Sequence, residues 1–142
     1  MARKKALAYL DEGFSLLKNN NLYSTKEEEH SAAIDRALTN LKNDENAAEI
    51  AAAFQALYEA NSLISPKSSI EGNRIILGDY FMSVAVKLVL PIRTPILLDN
   101  LCSKMKEIGK NISKPSIVNS KNDFFDGMDD MCREYLEHRS KQ

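Results

Sequence analysis

Apolar residues in this chain return at three- and four-residue steps almost from end to end, and nowhere do they alternate over a useful length. That period belongs to amphipathic helices and leaves no strand to build a sheet. Breakers are few, with five glycines and four prolines in 142 residues, so the helices can be long. The length suits one domain, and the reading is a single all-α domain over 1–142 with about six helices.

Leu7, Leu10, Phe14 and Leu17 make one stripe over about 3–18, closed by the three asparagines at 19–21. Thr25 with Glu28 has the capping-box form, and Ile34, Ala37, Leu38 and Leu41 follow as an inward face. Asn46 with Glu49 repeats that signal before an alanine-rich helix over about 47–64, stopped by Pro66. The segment 71–90 is apolar on more than one face, so it is either central or has a second surface to bury. Thr94 and Pro95 open a helix carrying Ile96, Leu97, Leu98, Leu101, Met105 and Ile108, with Gly109 in the C-cap position. After a polar stretch from Asn111 to Asn122, the last helix spans about 123–138.

Nineteen basic against twenty acidic side chains give a net charge of −1, which removes the electrostatic case for nucleic acid. The strongly apolar run Val84–Leu90 contains Lys87 and falls short of the ~20 residues of a membrane span. Asp11 and Glu12 follow the basic start, so the N-terminus does not read as a signal peptide. Cys102 and Cys132 lie in helical patterns, with no CxxC and no Cys/His spacing; a reduced cytoplasmic chain with two core cysteines is expected.

Little in the sequence points to catalysis. His30, among Glu27, Glu28 and Glu29, and His138, near the C-terminus, read as solvated surface residues. Phosphate-binding glycine loops, HExxH and GxSxG are all absent. Asp123, Asp126, Asp129 and Asp130 form the most suggestive cluster. Asp126 and Asp130 share a helix face and could hold Mg²⁺, but acids in a first helical turn also simply complement the helix dipole.

Two stretches resemble the trans-isoprenyl (polyprenyl) diphosphate synthases: Leu57-Tyr58-Glu59-Ala60-Asn61-Ser62-Leu63-Ile64, and Gly72-Asn73-Arg74-Ile75-Ile76-Leu77-Gly78-Asp79-Tyr80-Phe81-Met82-Ser83. In that all-helical family, a helix ending Ala-Ser-Leu-Ile-His-Asp-Asp precedes a loop and a helix with Leu-x-Gly-Asp-Tyr/Phe-Leu. Ser62-Leu63-Ile64 and Gly78-Asp79-Tyr80-Phe81 carry the match, which covers roughly 50–90. Where the family places its first two aspartates stand Pro66 and Lys67, which cannot hold the Mg²⁺ that grips a diphosphate. Asp129-Asp130 only echo the second aspartate motif, because Arg133 takes its last position.

The resemblance implies the N-terminal half of the isoprenoid synthase fold. It also implies the small, non-catalytic subunit of a heteromeric medium- or long-chain prenyl diphosphate synthase, with no cofactor on this chain and Mg²⁺ in a larger catalytic partner. The expected interface is Tyr80, Phe81, Val84, Leu88, Leu98, Leu101 and Met105, with a homodimer through the same surface left open. Asn61 and Ser62 fall where side-chain size sets product length in the family, and Asp79 reads equally as a partner in a structural hydrogen bond or ion pair and as a solvated acid. The other reading is a stand-alone helical interaction module, since such stripes arise in any bundle.

Overall fold

A computed structural model describes residues 1–64, 72–113 and 121–141. The described residues contain seven α-helices and no strand. These are α1 (Ala2–Tyr9), α2 (Asp11–Asn19), α3 (Ala32–Leu41), α4 (Ala47–Leu63), α5 (Gly72–Val89), α6 (Pro95–Ser113) and α7 (Lys121–Ser140). Short 3₁₀ turns at Glu27–His30 and Leu90–Ile92 lead into α3 and follow α5. The all-α expectation holds, and Pro66, Lys67 and residues 114–120 lie outside the described residues.

The central helix is α4, with α5, α3 and α1 packed around it. From Ala47 to Ala60 every residue except Glu49 is buried. Its alanines explain this: they favour the helix and keep its cross-section small, so neighbours can approach on all sides. On α5 the inward line is Leu77, Gly78, Phe81, Ala85 and Val89. Gly78 lets α5 pack closely at the end of α4, because a Cβ there would stand 2.5 Å from Cδ1 of Ile64, the residue that caps α4. Leu97, Leu101 and Ile108 of α6 and Phe124, Phe125, Met128, Met131, Cys132 and Tyr135 of α7 complete the core.

Several local expectations give way to tertiary packing. The helix expected over 3–18 breaks at Leu10, which has φ −107° and ψ 1°, although neither glycine nor proline stands at the break. Leu10 is 1% exposed, and the bend lets Ala6, Leu10, Phe14 and Leu17 all reach the core. Neither expected capping box forms. The N-terminal N–H groups of α3 at Ala33 and Ile34 donate to Gln55 Oε1 on α4 (2.9 and 3.3 Å), so a distant side chain does the cap's work. At the start of α4, Asp44 accepts from the Asn46 N–H (2.9 Å) while the Asn46 side chain reaches Tyr135 (3.1 Å). Gly109 does not end α6, which continues to Ser113. Thr94 and Pro95 do start it, with the Leu97 and Leu98 N–H groups on the Thr94 carbonyl.

Candidate functional site

The sequence reading of His30 as a solvated residue is overturned. It is 5% exposed, and its Nδ1 lies 2.9 Å from Glu59 Oε2 and 3.0 Å from Oε1. The Ser24 backbone N–H donates to Nε2 at 3.1 Å, so the imidazole carries its proton on Nδ1 and donates it to Glu59. Tyr23 stacks on the ring at 3.9 Å between centroids, and Phe14 meets it edge-on at 5.6 Å. Gln55, one turn before Glu59 on α4 and fully buried, donates to Glu59 Oε2 (2.7 Å) and to the Glu29 carbonyl (3.0 Å). Every buried side-chain polar atom of this cluster has a partner.

A carboxylate–imidazole pair is the arrangement of many general bases. Here Nε2, the atom that would take a substrate proton, is held by the main chain and covered by Tyr23. The cluster therefore acts as a lock, fastening the segment from Ser24 to Ile34 onto α4. Beside it opens a cavity of about 600 Å³ that includes Leu7, Phe14, Tyr23 and the acids Asp11, Glu27, Glu28 and Asp35. Its one arginine, Arg3, bonds to Asp35 (2.8 Å) and Ser31 (3.2 Å), so the lining repels a diphosphate.

Asn61 is half-buried and Ser62 exposed at the end of α4. Arg74 donates to the Leu63 and Ser62 carbonyls (3.1 and 3.3 Å), covering the negative end of that helix. The cavity that Ser62 lines with Tyr58 and Glu59 measures about 60 Å³, room for a few water molecules and not for a prenyl tail. Burial and the neighbouring carboxylates of Glu29 and Glu59 push the Tyr58 hydroxyl up to about 12.

The expected interface residues divide. Phe81 and Leu101 are fully buried within this chain and have no surface to offer a partner. Tyr80, Val84, Leu88, Leu98 and Met105 are half-buried against the core. The large apolar side chains most exposed along this region are instead Ile76 (69%) and Leu90 (52%), both on α5 or its 3₁₀ extension. The stretch Gly72–Ile92 has a mean hydropathy of 1.8, of which a third is buried, so by length and composition it could cross a membrane. The run Val84–Leu90 understated it. Here the stretch packs along α4.

The acidic cluster of α7 is not gathered around a vacant centre. Arg36 binds Asp129 (2.6 Å) and Asp126 (3.6 Å), Asn40 donates to Asp129 (2.7 Å), and Arg133 binds Asp130 (3.0 Å). Among the described residues no three acidic, histidine or cysteine side chains converge as metal ligands. Of the cysteines only Cys132 is a core residue; Cys102 is exposed, one position past the buried face of α6.

The sequence reading missed His30, Gln55 and Glu59. A signal was present: Gln55 and Glu59 are two polar residues four apart in a stretch, Ile50–Ala60, that otherwise holds alanine and large apolar or aromatic residues. No family model, no curated protein and no solved structure matches this chain.

Proposed function

We propose that this chain is the small, non-catalytic subunit of a heteromeric prenyl diphosphate synthase, working on a larger aspartate-rich partner that binds Mg²⁺ and performs the transfer. The observation that carries the reading is α5. This helix bears the Gly-Asp-Tyr-Phe element, packs tightly on α4 through Gly78, and leaves Ile76 and Leu90 facing outward. Obligate interfaces are apolar in this way. The acidic, arginine-paired lining of the 600 Å³ cavity agrees with a chain that does not ionise diphosphates itself.

The test is co-expression with a full-length chain carrying two Asp-Asp-x-x-Asp motifs, then assay with farnesyl diphosphate, isopentenyl diphosphate and Mg²⁺. The reading expects activity or product length to depend on this subunit. If both are unchanged without it, the alternative of a helical interaction module unrelated to prenyl transfer takes its place, since the same exposed face supports that role.

A further inference from the structure

The connection between α2 and the 3₁₀ turn before α3 hangs on a single imidazole nitrogen. Among the described residues, the Ser24 N–H on His30 Nε2 (3.1 Å) is the one hydrogen bond that ties Tyr23, Ser24 or Thr25 to the rest of the fold. The Lys26 N–H on Ser24 Oγ (3.1 Å) stays within the connection. The bond to His30 needs a lone pair on Nε2, so it exists only while the imidazole is neutral. Charging the ring puts a second N–H where Ser24 now donates, and two donors facing each other repel. The rest of the ring's surroundings suit a cation: Glu59 accepts from Nδ1 (2.9 Å), and the Tyr23 ring is stacked at 3.9 Å.

We propose that His30 is a proton-operated latch, whose protonation releases the Ser24 main chain and leaves the imidazolium on Glu59. The charges around the ring agree with this direction. Glu59 comes from α4, and Glu29 of the 3₁₀ turn and Arg74 of α5 line the 60 Å³ cavity with His30. Asp11, Glu27, Glu28 and Asp35 line the 600 Å³ cavity with it, where Arg3 is already bound to Asp35. Lys18 of α2 contacts the Tyr23 ring at 4.7 Å. The Tyr23 and Tyr58 hydroxyls stay neutral, since burial and nearby carboxylates push both up. Acids thus outnumber bases, and among the described residues none accepts from Nε2. The 60 Å³ cavity, which Ser24 and His30 both line, gives the new Nε2–H access to water once Ser24 leaves. The released connection runs into Glu27 on the wall of the larger cavity, so the same proton loosens that wall. The latch does not rest on the prenyl synthase reading.

The experiment is nuclear magnetic resonance on the isotope-labelled full chain from pH 8 to pH 5, the range in which histidine changes charge, with the His30 ring and the Ser24 amide read together. Both are expected to change at one midpoint. Protection of the Ser24 amide, relative to an unstructured amide at the same pH, is expected to fall about tenfold while the amides of α4 keep theirs. The variant His138→Gln removes the chain's other histidine and is expected to show the same transition. An imidazole that stays neutral down to pH 5 overturns the proposal. So does a His30 that charges while the Ser24 amide keeps its protection, or a transition that His138→Gln abolishes. Loss of protection in α4 at the same midpoint also overturns it, because the proton then unfolds the core instead of releasing one connection.

Discussion

His30 and Glu59 stand 29 residues apart in the chain and meet at 2.9 Å in the core, their side chains 7% and 5% exposed. One comes from the 3₁₀ turn before α3, which lines the acidic cavity, and the other from the central helix, so their contact fastens that wall of the cavity to the core.

Removing one member of this pair leaves the other buried and unanswered. Glu59→Ala is expected to cost about 2–5 kcal/mol in urea unfolding, because the His30 and Gln55 N–H groups both lose their acceptor. His30→Ala should cost at least as much, because it leaves the buried Glu59 carboxylate with Gln55 as its remaining side-chain donor and removes the ring packed on Tyr23 and Phe14. Small losses for both variants would contradict the lock.

Two glycines allow close helix contacts of different stiffness. A Cβ on Gly13 would meet the Phe81 ring at 2.6 and 2.8 Å, and Phe81 is fully buried. A Cβ on Gly78 would meet the flexible aliphatic side chain of Ile64, 2.5 Å from Cδ1 and 2.7 Å from Cγ1, with the Ala60 carbonyl at an ordinary 3.8 Å. Gly13→Ala is therefore expected to destabilise by about 1–3 kcal/mol, and Gly78→Ala by less, in matched denaturation curves.

The thiols should differ sharply in reactivity. Cys102 is exposed, whereas burial and Asp129 push the Cys132 thiol up to about 12. A thiol reagent at neutral pH is expected to label one cysteine quickly and the second only with unfolding, as followed by mass spectrometry.

Arg36 holds the Asp129 carboxyl below its ordinary 3.8, first through its hydrogen bonds, with Asn40 adding a further donor. A carboxylate depressed by folding stabilises the protein above its unfolded pKa, and that contribution is lost as pH falls through the lower folded value. Wild-type stability should thus decline below about pH 4, and Arg36→Met should flatten this acid limb. An unchanged limb in the variant would contradict the assignment.

Substitutions on α5 separate folding from association. Phe81→Asp places an unpaired charge in the core and is expected to unfold the chain. Ile76→Asp, at a position 69% exposed, should leave the helical circular dichroism unchanged while reducing co-purification with a partner.

The sequence by itself determined the helical class, the stops before and after α4 and α5, and the start of α6 at Thr94-Pro95. These follow from three- and four-residue spacing and from residues whose backbone limits are local. It also showed that 71–90 is apolar on more than one face. Only the tertiary structure decided that α4 lies at the centre, that Leu10 bends the first helix, and that Phe81 and Leu101 face inward while Ile76 and Leu90 face out. The same holds for Gln55 capping α3 and for His30 closing on Glu59. Periodicity shows which residues share a face; which face is buried, and which polar groups meet there, depends on contacts between residues distant in the chain.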